Sequence, residues 1–203
     1  MKTVRLFQWV LVMLLLSCAQ EERLPILGET STDPKTGEIV HYKAPEFELI
    51  NQLNKKASSD EFANKIQVVD FFFTSCPTIC PKMTKHLKLV EDHFQNNDRV
   101  AIISYSIDAK NDTPERLKTY ADMYNINNDK WTFLTGDIEK IFEISKDYKI
   151  SAFDDSNAQG SNLIHDGTFV LVDGLRRIRG YYNGLDQKET EKLIADIEIL
   201  LKE

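Results

Sequence analysis

Apolar positions along this chain alternate between strand-like and helix-like spacing. Residues 44–53 alternate at Phe47, Leu49 and Asn51, which predicts a half-buried strand. Residues 66–73 (IQVVDFFF) are dense in β-branched and aromatic side chains and predict a core strand. Met83, Leu87, Val90 and Phe94 then recur at helical spacing, so an amphipathic helix is expected over residues 78–96. The second half repeats the alternation with an apolar strand at 99–107. Asp112-Thr113-Pro114-Glu115 follows as a helix start, with Thr113 as cap and Pro114 in the first turn, where its missing N–H costs nothing. Leu117, Tyr120, Ala121 and Tyr124 mark the buried face of that helix. Residues 131–134 predict a short strand, and Ile138, Ile141, Phe142 and Ser145 a further helix after the Gly136 turn. Residues 151–163 are polar and read as a long loop. Two strands, at 168–172 and 176–182, are joined by the hairpin signal Asp173-Gly174. Leu193, Ile194, Ile197, Leu200 and Leu201 line a terminal helix.

Strands followed by helices, then a closing hairpin and helix, predict an α/β fold. The expected form is a thioredoxin-like sandwich with a central mixed sheet flanked by helices, plus an N-terminal strand or hairpin extension.

The N-terminus has a different pattern. Lys2 and Arg5 precede an apolar run from Leu6 to Leu16, broken only by Gln8. That run is shorter than the roughly 20 residues a bilayer span needs and has the length of a signal-peptide core. It ends in Leu15-Leu16-Ser17-Cys18, which resembles a bacterial lipobox, in which the cysteine is acylated and becomes the new N-terminus. The expected division is therefore a lipoprotein signal peptide at 1–17, a polar tether or loose hairpin at 18–42, and one domain at 43–203. Acylated Cys18 would hold that domain at a membrane of the bacterial cell envelope, outside the cytoplasm.

Composition narrows the partners. Of 203 residues, 42% are hydrophobic and 28% charged, an ordinary globular balance. The net charge of -7 opposes a phosphate backbone, so nucleic acid is not an expected partner. With Cys18 lipidated, Cys76 and Cys80 are the remaining thiols. A bridge between residues four apart closes too small a loop to stabilise a fold much, which points to local, reversible chemistry.

The segment Phe71-Phe72-Phe73-Thr74-Ser75-Cys76-Pro77-Thr78-Ile79-Cys80-Pro81 carries that chemistry. A core strand delivers the chain to a helix start, and the i, i+4 spacing predicts both sulfurs on one helical face. The helix dipole and unpaired amides there favour thiolates. Thiolates are soft ligands for Cu(I) and also the nucleophiles of disulfide exchange, so the motif supports metal binding and thiol redox alike. The bland alternative, two small buried apolar residues, leaves the flanking prolines unexplained. His165 lies just before Asp166-Gly167 and the 168–172 strand, a position that faces the cysteines in a thioredoxin-like sheet. Two thiolates and an imidazole make a plausible three-coordinate Cu(I) site. Disulfide oxidoreductases of this fold use a two-residue spacer and a proline opposite the cysteines. Here the spacer is three residues, and no proline lies beyond Pro114.

Val68 through Pro81 resembles the strand and cysteine motif of the Sco/SenC family. Ser106-Ile107-Asp108 with Asp112-Thr113-Pro114-Glu115-Arg116-Leu117, the stretch from Trp131 to Gly136, and His165 match further blocks in order. The resemblance covers residues 44–183. It implies a copper metallochaperone, binding Cu(I) or Cu(II) through Cys76, Cys80 and His165, that helps assemble the binuclear copper-A centre of cytochrome c oxidase, with the copper-A subunit or another copper protein as its partner. It also implies a redox-active Cys76–Cys80 pair, since some members are assigned to thiol reduction or redox signalling. The alternative is a thiol–disulfide oxidoreductase, or a redox or copper sensor. Two positions depart from the family pattern: Thr78 stands where Asp is common, and Ala109 where Pro is.

Other candidates are weaker. His86 and His93, two helical turns apart, are expected to face solvent. Asp108 and Asp112 form a possible acidic pair, with Asp112 expected to support the helix start and Asp108 to end its strand near the site edge. The charges at Glu21-Glu22 and 187–203 read as solvated faces.

Overall fold

The computed structural model describes residues 23–154 and 163–203. The expected leader at 1–17, Cys18, Glu21-Glu22 and part of the expected 151–163 loop lie outside these residues. Among the described residues, no helix is long and apolar enough to cross a membrane.

An antiparallel ribbon of β1 (Thr30–Thr32) and β2 (Ile39–His41) comes first. The main sheet is built from β3 (Glu48–Asn51), β4 (Lys56–Ser58), β5 (Ile66–Phe72), β6 (Val100–Ser106), β7 (Trp131–Thr135), β10 (Thr168–Val172) and β11 (Ile178–Asn183). Its order is β11-β10-β5-β6-β7-β3-β4, with β5, β6 and β7 parallel and the flanking strands antiparallel. Helices α1 (Cys80–His93), α2 (Pro114–Met123), α3 (Ile138–Asp147) and α4 (Gln187–Leu200) connect or follow these strands. The expected mixed α/β sandwich is the observed one.

The unbroken apolar run of β5 follows from its central place: every residue of β5 and of β6 is buried, as a parallel strand covered on both faces requires. Alternate side chains of β5 serve opposite faces. Phe72 packs on Tyr120 of α2 and on Phe133, whereas Phe71 stacks on Tyr105 and meets Tyr148 just beyond α3. Each such aromatic, fully buried, contributes about 1.5–3 kcal/mol of transfer free energy.

Three local expectations change. The 44–53 segment is not one strand: β3 ends at Asn51, and a turn through Asn54, at φ 56°, returns the chain as β4. The strand expected at 176–182 begins at Ile178, because the turn from Asp173 takes Arg176 to φ 65°. The 151–163 segment is not all loop. Ala152–Asp154 (β8) pairs antiparallel with Leu163–His165 (β9), placing Ala152 opposite His165 in a ribbon separate from the main sheet. Gly167, at φ 73°, makes the turn from His165 into β10, a conformation that costs a residue with a Cβ more.

Candidate metal centre

The cysteine segment leaves the carboxyl end of β5, where open parallel sheets form ligand crevices. Phe73 is buried, and its carbonyl accepts the Cys76 N–H at 3.2 Å. Asp112 fixes the next residue. Fully buried, it accepts the Thr74 backbone N–H at 2.9 Å, the Thr74 hydroxyl, and the Ser106 hydroxyl at 2.6 Å. Arg116 adds a 2.7 Å bond from Nε to the Thr74 hydroxyl oxygen.

The helix begins later than its spacing suggests. Ile79 is the N-cap and Cys80 the first residue of α1, with Pro81 in the first turn. Cys76 precedes Pro77, and a residue before proline is disfavoured in helical geometry. The sulfurs are therefore not on one helical face: Cys80 belongs to the helix and Cys76 to the turn before it. They still converge, because that turn folds back over the helix tip.

One donor atom from each of Cys76, Cys80 and His165 lies within 4.8 Å of the others. Cys80 Sγ and His165 Nε2 lie 3.1 Å apart. All three residues are buried, His165 at 8% exposure, and both cysteines are free thiols. Phe73 meets the His165 ring edge-on with centroids 5.9 Å apart, limiting its rotation. Ser75, Pro77 and Thr78 are exposed around Cys76, so access is from that side.

The two thiols are unlike. Burial opposes ionisation of Cys76, but hydrogen bonds from the backbone and side chains of Cys80 and Thr78 outweigh it and pull the thiol below its ordinary value. The Thr78 hydroxyl lies 3.6 Å from the Cys76 sulfur. A hydroxyl can donate to a thiolate, whereas a carboxylate in its place would repel one. Burial pushes the Cys80 thiol well up; a bond from the Phe73 backbone opposes this, while Cys76 and Asp70 add to it. Burial also lowers His165 to about 4, against a small opposing pull from Asp166, so the imidazole is neutral at pH 7. Two sulfur donors and a neutral imidazole are the donor set of a soft, low-coordinate ion such as Cu(I), and they disfavour hard cations. Nδ1 of His165 is buried without a partner, which leaves Nε2 as the ring atom aimed at the sulfurs.

A sequence model of SCO1/SenC matches residues 38–202. The chain belongs to the SCO1/SenC family. Among SCO1/SenC relatives, the SCO1 protein homolog of Bacillus subtilis is 31% identical over 172 residues, 84% of this chain and 86% of that protein. A SCO2-like protein of Rickettsia typhi is 31% identical, covering 82% of this chain and 86% of its own length. The crystal structure of a SCO1/SenC family lipoprotein from Bacillus anthracis superposes with a TM-score of 0.72 at 28% identity, over 79% of this chain and 95% of that one. A structure of BsSco, described as a member of the Sco family of cytochrome c oxidase assembly proteins with a disulfide switch, superposes at 0.68 with 32% identity, covering 83% and 95%. Copper-bound ScoI of Arabidopsis thaliana, at 21% identity and TM-score 0.65, shares the fold over 76% of this chain and 98% of its own.

The weaker candidates fall elsewhere. His86 is buried, contrary to expectation, and its Nδ1–H donates to the Gly184 carbonyl at 2.7 Å, tying α1 to the turn before α4. His93 is exposed and meets Glu198 at 2.9 Å. Asp108 and Asp112 do not pair. Asp108 accepts both its bonds from the Asn111 amide, and the α2 cap is Thr113, which accepts the Arg116 N–H. Asp112 instead supports the cysteine loop, a role that spacing alone does not reveal. Asp70 is a further buried group outside the expected candidates, and its signal in the sequence is a lone carboxylate in the apolar β5 run. It is buried and hydrogen-bonded to the Ser104 hydroxyl, which in turn accepts from Trp131 Nε1 at 2.7 Å.

Proposed function

We propose that this chain is a copper metallochaperone, anchored to a bacterial membrane through acylated Cys18, that supplies copper to the copper-A subunit of cytochrome c oxidase. The observation that carries the reading is the convergence of Cys76, Cys80 and His165 donors within 4.8 Å in a SCO1/SenC chain. Cys76 and Cys80 hold the ion as thiolates, His165 supplies the third donor, and the exposed rim at Ser75, Pro77 and Thr78 is where an acceptor protein's ligands enter. Binding releases protons from the thiols, so uptake strengthens as pH rises through their ionisation. The test is titration of the reduced chain with Cu(I) under a competing chelator. One ion per chain is expected, with binding lost on oxidation of the pair or on Cys76→Ser. Stoichiometric high-affinity binding that survives Cys76→Ser would end this reading.

The thiol asymmetry favours a second reading, a thiol–disulfide oxidoreductase acting on exported cysteines. Cys76 thiolate would attack a substrate disulfide and displace one of its sulfurs as thiolate. Cys80, once deprotonated, would then attack Cys76 in the mixed disulfide, release the reduced substrate and close a Cys76–Cys80 bond. Two electrons pass from the pair to the substrate. Metal-independent turnover of a disulfide substrate by His165→Ala would support it, and its absence would remove it.

A further inference from the structure

At the end of the sheet opposite the cysteines lies a cleft of about 540 Å³, where β5 and β6 begin and α4 ends. The seven residues of β5 separate the two ends by about 20 Å at ~3.3 Å per residue. Arg23, Arg99, Arg177, Arg179 and Lys202 line the cleft, against the carboxylates of Asp173 and Glu203. That is an excess of cations in a chain of net charge -7. Arg179 and Arg177 are committed internally: Arg179, nearly buried, bonds Asp173, Glu203 and the Leu24 and Pro25 carbonyls, and Arg177 Nε bonds Asp173 at 2.7 Å, so these two cations balance the two acids. Arg99 and Lys202 are exposed at the rim, and Arg99 Nη1 donates to the Leu201 carbonyl at 2.9 Å.

Two further features bear on the occupant. Leu175, at the tip of the β10–β11 turn in the same cleft, is 58% exposed. Arg23, the first described residue, lies in the lining, so the N-terminal 22 residues, with their apolar run at 6–16, lead into this end. Cations around one projecting apolar side chain suit the interface of a bilayer, where anionic headgroups lie over an apolar layer. A free phosphate would account for the cations but not for Leu175.

We propose that this cleft is the face by which the domain rests on an anionic lipid surface, with the exposed Arg99 and Lys202 meeting headgroup phosphates and Leu175 entering the interfacial layer. The copper donors then point away from the bilayer. This deepens the membrane-tethered reading and is separable from it. The full chain is reconstituted in nanodiscs of phosphatidylcholine alone or mixed with phosphatidylglycerol, and backbone amide exchange is read by mass spectrometry. Peptides spanning 173–177 and 199–203 are expected to exchange several-fold more slowly on the anionic discs, with no change at 104–112. The slowing should vanish in Arg99→Gln/Lys202→Gln and in Leu175→Ser, whose exposed side chain leaves the core intact, and it should fade at high salt as screening shortens. Equal exchange on both discs overturns the proposal while leaving the tether in place. Slowing reproduced by inorganic phosphate on neutral discs also overturns it, assigning the cleft to a soluble anion. A chain that does not stay with the discs counts against the tether, and the same exchange measurement with added phosphatidylglycerol vesicles then decides the cleft.

Discussion

Cys80 and His165, 85 residues apart in sequence, place Sγ and Nε2 at 3.1 Å. The contact joins the first turn of α1 to the last residue of β9, two elements that share no strand pairing. The high thiol pKa of Cys80 and the low pKa of His165 have one cause, exclusion of water, and both favour the neutral pair before an ion arrives.

Removing the imidazole should therefore weaken the site without unfolding the domain. His165→Ala is expected to lower Cu(I) affinity by at least about 100-fold, the upper range for losing even an indirect ligand contact. Competition titration against a chromophoric chelator measures it. An unchanged affinity would remove His165 from the ligand set.

The two thiols should differ in reactivity. At neutral pH Cys76 is expected to react with iodoacetamide at least about tenfold faster than Cys80, since each pKa unit of separation changes the thiolate fraction tenfold. Peptide mass spectrometry after brief alkylation gives the ratio. Thr78→Asp should slow Cys76 by replacing a donor with a repelling charge; equal rates would show that the hydroxyl contact has no influence.

Asp112 should matter more than its distance along the chain from the cysteines suggests. Asp112→Ala strands the Thr74 N–H and the Ser106 hydroxyl in a buried site, and about 3 kcal/mol of stability is expected to be lost. Chemical denaturation measures the loss. Cys76 alkylation should rise in parallel, because Thr74 no longer fixes the loop.

Asp70 should make stability fall with rising pH. Burial raises its pKa from 3.8 to about 7, and the Ser104 bond offsets only part of that. The folded state therefore holds a proton that the unfolded chain has already released. The stability from this group is complete below about pH 4, declines through pH 7 and is flat above, by up to about 4 kcal/mol. Denaturation at pH 5 and pH 8 should show the decline in the parent and not in Asp70→Asn. Equal slopes in both proteins would reject the assignment.

Much of this arrangement was legible because its signals are local. The apolar run of β5, the Thr113-Pro114 start of α2 and the cysteine segment each announce themselves within a dozen residues. The β8–β9 ribbon does not. Its strands are three residues long, and their pairing, not their composition, defines them. His86 departs from expectation because its helical spacing fixes a direction but not what covers it; the Gly184 turn, 98 residues away, does the covering. The place of Cys76 outside α1 is readable, since Cys76-Pro77 already disfavours helix at Cys76. Asp112 shows the limit: a carboxylate beside a capping threonine suggests a cap, and only the return of β6 beside β5 brings Thr74 within its reach.

The sequence order of the three donors also sets a timetable. During synthesis both sulfurs emerge before Asp112 can steady their loop and longer still before the donor nitrogen of His165 exists. A nascent chain thus carries a bare dithiol, open to stray oxidants and to any thiophilic ion. The third donor arrives only with the last fifth of the polypeptide, so until then the two sulfurs stand without the nitrogen that completes the set.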